Sequence, residues 1–444
     1  MSSRPAQPTL QHPQTSLFSP VMRPFAILWL GELVSLFGSA LTSFALGLWV
    51  YQRSGSVTQY ALISLAAVLP RVLVSPFAGV LVDRWDRRRN LLLSDLGAGL
   101  SSLAAAALLI AGRLDVGLVY LLVGLSAVCA AFQSPAYVAS IPLLVPAPAL
   151  SRANGMIQLS QSLAEVFAPL AAGFLVLAIR VQGVLLIDFA TFLVAVSALA
   201  VIRIPSPAAQ LAVGSPGIRA LLGEARDGWR FISDRPGLVA LLIFAAIFNF
   251  LWGMVGALAA PLVLSFSDSG SLGIFLTVAG CGMLAGSLAM SAWVRGPRRK
   301  IGAILAAELA SGLGFILIGL RPSLVLAAAG ALIAHLTIAV IGSSSRTLWQ
   351  RKVPAGMLGR VFAIQEMVAR SAAPLAIAAA GPLAERVFEP LLVPGGPLAA
   401  SLGLLTGAGA GRGIGLMFLC MGLLKAAVAL CGALYRPLRA IETD

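Results

Sequence analysis

The chain has 444 residues, of which 59% are hydrophobic and only 11% charged, with a mean hydropathy of +0.94 and a formal net charge of +14. A soluble domain carries charge on roughly a quarter of its residues, so the composition excludes a soluble globular chain and implies an all-α integral membrane protein. The positive charge is dispersed among short connections rather than gathered into one patch, which argues against nucleic acid as a partner.

In chain order, residues 1–23 are rich in Pro, Gln and Ser and lack the basic start, apolar core and cleavage site of a signal peptide, so they read as a mobile tail. Twelve apolar runs follow, at 24–50, 57–82, 90–112, 116–141, 153–180, 183–203, 237–264, 270–294, 300–320, 323–349, 358–387 and 411–435. Each is long enough to cross a hydrocarbon core of about 30 Å as a helix. The predicted division is a six-helix unit over 24–203, a linker over 204–236, a second six-helix unit over 237–435 and a tail over 436–444. Threading the runs through a bilayer leaves Arg53, Arg113, Arg180, Arg321, Arg386 and Arg412 on one side and Arg71, Arg370 and Lys425 inside helices. All other Lys and Arg residues fall on the opposite side, which the positive-inside rule makes cytoplasmic together with both termini; there they face anionic lipid.

The four cysteines, Cys129, Cys281, Cys420 and Cys431, lie in apolar runs without metal-ligand spacing, and His12 and His335 are isolated. No Walker-type phosphate loop, HExxH sequence or matched Ser/His/Asp set occurs, so the sequence predicts no enzyme, no cofactor and no self-contained ATP-driven pump.

The two halves resemble one another at an offset of about 210 residues. "RPF" at Arg23 matches "RPG" at Arg235, "DLGAGL" at Asp95 matches "ELASGL" at Glu308, and "VPAPALSRANGMIQ" at Val145 matches "VPAGMLGRVFAIQ" at Val353. In the linker, Ile218, Leu221, Leu222, Ala225, Trp229 and Ile232 stand near helical spacing, which predicts an amphipathic helix. It lies either on the inner leaflet or against the bundle ends.

Between the second and third runs, "GVLVDRWDRRRN" concentrates charge in an otherwise apolar region. Gly79, Asp83, Arg84, Arg87 and Arg88 occupy the places of a loop pattern that resembles the major facilitator superfamily, with Asp86 where many members carry glycine. The twelve runs, the twofold repeat and the long central link agree with that resemblance, which implies two pseudo-symmetric six-helix bundles. The stretches "WLGELVSLFGSALTSFALGLWVYQRSGSVTQYALI", "SRANGMIQLSQSLAEVFAPLAAG" and "LLIDFATFLVAVSALAVIRIP" resemble the branch of enterobactin exporters and macrolide-efflux proteins. The resemblance further implies that the loop latches the outward-facing state. Asp83 would face the N-terminus of the eleventh helix near Gly359, where free N–H groups favour an anion, and Arg87 and Arg88 would hold carboxylates or lipid phosphates. In the second half Met290 replaces the aspartate.

An ionisable residue inside a membrane costs about 2.5–3.5 kcal/mol and usually faces a cavity or a partner. By the helix order that the resemblance implies, Glu32, Arg71, Glu165, Glu366 and Arg370 are candidates for the cavity or for coupling, and Glu165 and Arg370 stand at repeat-related positions of opposite halves. Asp188 and Lys425 fall on helices expected to be peripheral, and Asp95 and Glu308 are expected to brace the basic loops. Phe37, Gln133, Gln161, Asn249 and Trp252 are candidates to line a cargo pocket.

The resulting expectation is a secondary transporter in a bacterial plasma or inner membrane. It would export a small amphipathic metabolite, siderophore or drug by alternating access, with protons as the coupling ion. Against proton coupling, the fourth run lacks the arginine of many drug antiporters and "APLAAG" only partly matches their fifth-helix motif. An importer or lipid flippase of the same fold, and a membrane sensor that transports nothing, are the alternatives. An apolar helix face meets lipid as readily as a second copy, so no oligomeric state is assigned.

Overall fold

The computed structural model describes residues 22–146, 149–204, 218–292, 299–354 and 357–440, with the side chains of 76, 77, 79, 80, 82–84, 151, 218–225, 358, 359 and 363 set aside. Most of the predicted N-terminal tail, the start of the linker and the last four residues therefore lie outside the described residues.

Helices begin where the sequence supplies a stop and a cap. α1 (Arg23–Ser54) has a proline in its first turn and ends on Gly55, whose φ of 62° is the left-handed conformation that glycine adopts without steric cost. α2 (Val57–Arg84), α3 (Arg87–Ile110) and α4 (Val116–Leu144) are capped by the side chains of Ser56, Asp86 and Asp115, each accepting a backbone N–H three residues on. α5 (Leu150–Val201) is 52 residues long, far more than one crossing needs, and it is broken at Arg180, where φ is 60° and ψ is 176°. Its limbs, 150–179 and 181–201, are the fifth and sixth crossings, turning where the sequence places an exposed arginine.

α6 (Ile218–Ser233) is the predicted linker helix, and α7 (Pro236–Leu264), α8 (Ser269–Ala292), α9 (Lys300–Leu320) and α10 (Leu324–Lys352) are the next four crossings. α11 (Leu358–Leu383) runs through a π turn at Ala384–Phe388 into α12 (Glu389–Leu392). After the short α13 (Gly403–Thr406), α14 (Arg412–Leu434) makes the last crossing and α15 (Arg436–Ala440) ends the described chain. Eleven helical segments are of membrane length among the described residues, and the break in α5 makes twelve crossings.

The crossings pack as two bundles. α1 lies along α5, α2 along α4, and α3 against both α4 and α5; in the second half α9 lies between α10 and α14, α8 packs on α10, and α7 packs on α11. The bundles meet along two seams, α2 with α11 and α5 with α8. The end of α6 lies on α11, with Ile232 buried and Asp227 3.8 Å from Arg360, while Trp229 stays exposed. Residues 226–233 thus lie against α11 at the bundle end.

Close approach of helices depends on small residues. A Cβ on Gly31 or Gly38 would strike α5 at Ala195 or at Asp188 and Thr191, and one on Gly282 or Gly286 would strike the α10 backbone at Leu332 or Leu336.

The second bundle also contains a charge pair. Lys425 Nζ lies 2.6 Å from Glu308, with both side chains almost fully buried, and the ammonium sits about 5 Å from the rings of Phe248 and Phe315. This corrects the expectation for Glu308: it braces α9 to α14 in the bundle interior, not a basic loop. Breaking such a pair from one side leaves a buried charge and costs about 3–5 kcal/mol. Lys425→Met alone should therefore lower the thermal unfolding temperature in detergent by several degrees, and Glu308→Leu with Lys425→Met should recover most of the loss; equal destabilisation of single and double variants would show that the pairing is not the cause.

Candidate functional site

A cavity of about 700 Å³ opens among α1–α5, with Leu276 of α8 at its edge. Its walls carry three carboxylates, Glu32, Asp95 and Asp188, and one cation, Arg71, among hydroxyls from Ser, Thr and Tyr residues. Gln133 of α4 ties the first two acids together: its amide nitrogen donates to Glu32 Oε2 at 3.1 Å and to Asp95 Oδ1 at 2.5 Å. Glu32 Oε1 and Asp95 Oδ2 are buried without a hydrogen-bond partner among the described residues. Asp188 accepts from Ser102 Oγ at 2.6 Å and Ser39 Oγ at 3.4 Å.

The local sequence explains these positions. Gly31 and Gly38 lie two turns apart on α1 and let the second limb of α5 approach, so Asp188 comes in beside α1 and reaches the cavity between α1 and α3. Asp95, two turns into α3, faces α4 at Gln133. Both observations correct the sequence reading, which placed Asp188 on a peripheral helix and Asp95 at the basic loops. The available signal was polarity at helical spacing: Glu32, Ser35, Ser39, Thr42 and Ser43 form a polar stripe on α1, and all five line the cavity.

Of the residues singled out from the sequence, Glu32, Arg71, Gln133 and Gln161 line this cavity. Phe37 packs into the apolar core of the first bundle. Asn249 donates to Ala245 O of its own helix at 2.9 Å, and Trp252 packs edge-on against His335 and Phe315, with ring centroids 4.7 Å and 5.5 Å away. Glu165 is exposed on α5. Glu366 and Arg370 pair with each other one turn apart on α11, so in this conformation the partner of Arg370 is Glu366 and not Glu165.

In the charged loop, Asp86 caps α3 by accepting Arg89 N–H at 2.8 Å, which gives a reason for aspartate at that place. Arg87 donates to Ala139 O at 2.8 Å, and Arg88 donates to Leu199 O at 2.9 Å and Ala200 O at 2.8 Å. These carbonyls lie at the end of α5 and near the end of α4, where the helix dipole favours a cation. Gly79, Asp83 and Arg84 of α2, and Gly359, the residue expected to face Asp83, are among the residues whose side chains are not described, so the latch assigned to them is a proposal.

Among the described residues, hydrogen bonds between the bundles are found toward the arginine-poor end. Tyr51 donates to Pro261 O at 3.4 Å, Ser56 and Thr58 donate to Glu385, Ser269 donates to Gly173 O at 3.4 Å, and Thr277 donates to Val166 O at 2.9 Å.

Comparison with known proteins agrees with this architecture. The Major Facilitator Superfamily model matches residues 28–377. The chain belongs to the major facilitator superfamily. Macrolide efflux protein A of Streptococcus pyogenes is 26% identical over 372 residues, 82% of this chain and 90% of that protein. Multidrug efflux pump Tap of Mycolicibacterium fortuitum is 25% identical over 379 residues, 82% and 89% of the two chains. Among solved structures, a bacterial homologue of the iron transporter ferroportin in an inward-facing state matches with a TM-score of 0.66 at 16% identity, covering 93% of this chain and 99% of that one. A bacterial homologue of the human lysosomal transporter Spinster matches with a TM-score of 0.65 at 16% identity, over 96% and 98%. The expected fold and family are therefore borne out. The protein is a multi-pass membrane transporter for a small-molecule substrate in a lipid environment, and its family and relatives are transporters, not enzymes.

A cavity with these walls makes a labelling prediction. A cysteine placed at Ser134, which lines the cavity and is exposed, should react with a water-soluble maleimide, and one placed at Phe37 should not. Equal labelling at the two positions would show that the cavity is not water-filled.

Proposed function

We propose that this transporter exports amphipathic small molecules bearing a positive charge, in exchange for protons, with its arginine-rich end in the cytoplasm. The observation that carries the reading is the wall of the first-bundle cavity, where Glu32, Asp95 and Asp188 face one cation, Arg71. Three acids against one base favour a cationic guest, and the surrounding apolar and hydroxyl-bearing side chains suit an amphipathic body. The relatives named for macrolide and multidrug efflux support both the direction and the cargo class.

The shared amide of Gln133 supports the coupling. Two carboxylates that accept from one amide nitrogen are close neighbours, and like charges about 4 Å apart repel by about 4 kcal/mol at an effective dielectric of 20. The Glu32–Asp95 pair is therefore comfortable when it holds a proton or when a cation lies beside it, and strained when it holds neither. Proton and cargo then compete for one place, and that competition makes exchange obligatory. The asymmetry of basic residues supports the orientation. Closure of the arginine-poor end supports an inward-open state, in which cargo enters from the cytoplasm, and the loop of Gly79, Asp83 and Arg84 would latch the opposite state.

The test is accumulation of cationic dyes and macrolides in pump-deficient bacteria expressing the wild type, Glu32→Gln, Asp95→Asn or Asp83→Asn at equal membrane levels. Losing one member of a buried charged contact costs about 2–5 kcal/mol. The cavity variants should therefore lose most of the efflux, at least about tenfold by that cost, and a protonophore should abolish wild-type efflux. Unchanged accumulation in cells making the wild type would remove cationic drug efflux, and raised accumulation would indicate uptake. Full activity of Asp83→Asn would remove the latch alone.

A further inference from the structure

The seam between α2 and α11 is closed by a contact that the transport cavity does not use. Glu385, in the π turn that follows α11, reaches across to the first residues of α2. Its Oε1 accepts Ser56 Oγ–H at 2.7 Å and Thr58 N–H at 3.1 Å, and its Oε2 accepts Thr58 Oγ1–H at 2.5 Å. Ser56 is itself the cap of α2, its hydroxyl oxygen accepting Gln59 N–H at 3.1 Å. A carboxylate from one bundle thus completes the capping of a helix in the other, where unpaired N–H groups and the helix dipole favour negative charge.

Two features of α11 place the carboxylate there. Gly381 precedes Glu385 by four residues, on the same face of the helix, and a Cβ at Gly381 would run into the backbone of Thr58. Glycine therefore sets the approach of α11 to the end of α2. The π turn at Ala384–Phe388 begins one residue before Glu385, and such local unwinding changes the direction in which a side chain leaves the helix. The other seam is built differently: Gly273 and Gly280 of α8 pack on Pro169 and Val166 of α5, and the hydrogen bonds described there are from hydroxyls to carbonyls. Among the described residues, the charged part of the closure lies on the α2–α11 seam.

We infer that Glu385 is a positioning residue for the transport cycle, a latch that holds the arginine-poor end shut by capping α2 across the seam and that must release before the cavity can open at that end. Rocking of one bundle against the other separates the end of α11 from the start of α2, so the contact belongs to one state and favours it by its whole strength. The inference rests on alternating access but on neither the cargo nor the direction of transport.

Spin labels at Arg113→Cys and Pro322→Cys, both exposed in connections between helices at the arginine-poor end of opposite bundles, report the opening in a chain whose four native cysteines are replaced by alanine. Distances are measured by pulsed electron resonance on purified protein without cargo. Glu385→Gln is expected to raise the ratio of the long-distance to the short-distance population by about tenfold, equivalent to about 1.4 kcal/mol. The independent variant Ser56→Ala with Thr58→Val should act in the same direction, and combining it with Glu385→Gln should add little because one contact is removed in each case. Unchanged distances in the hydroxyl variant or in a monodisperse Glu385→Gln protein, or fully additive shifts, would overturn the latch. The readout needs no transported molecule, so its failure leaves the export reading untouched, and failure of the efflux assay leaves the latch standing.

Discussion

A charge inside a hydrocarbon layer has to be met by another polar group, and the two halves of this chain meet that constraint in different ways. The repeat places Asp95 on α3 and Glu308 on α9 in matching positions. In the second bundle Glu308 is answered by Lys425 at 2.6 Å and the pair is sealed beneath aromatic rings. In the first bundle Asp95 is answered by an amide that it shares with a second acid, Glu32. An amide orients two carboxylates without supplying a countercharge, so among the described residues these two acids lack the ion-pair partner that Glu308 has. The cavity lies beside them.

The same economy of polar contacts governs how the bundles meet. Glycines at Gly273 and Gly280 bring α8 against α5, and Gly381 brings α11 to the start of α2. An apolar cluster crosses the seam as well, with Val57 and Ala61 of α2 buried among residues of α7 and α11. The added Glu385 contact is directional and is made only when the helix ends are aligned. Helix termini recur in this role: Arg88 binds carbonyls at the end of α5, and Asp86 caps the start of α3.

Much of this was legible in the sequence because the signals are local. Twenty-residue apolar runs, the matching RPF and RPG openings at Arg23 and Arg235, and Arg180 between the fifth and sixth runs all announce crossings and turns. The repeat and the charged loop announced the family. Partners were less legible, because they depend on which face of a helix points inward. Glu366 and Arg370 are one turn apart and pair with each other, whereas Asp188 reaches the cavity only because Gly31 and Gly38 admit α5 beside α1. The apolar candidates Phe37 and Trp252 went to packing, as large side chains in well-filled bundles do. Glu385 gave little warning, since its role depends on a helix more than three hundred residues away in the chain.

If a proton and a cationic cargo compete for the Glu32–Asp95–Gln133 cluster, as proposed, binding of one expels the other. Proton release on cargo binding tests this competition most directly, measured with a pH indicator on purified protein in weakly buffered detergent as a cationic dye is titrated in. Protons should leave as the dye binds, and release should be lost in Glu32→Gln with Asp95→Asn while the protein remains folded. Dye binding with no proton release, or with the same release in the double variant, would contradict that competition.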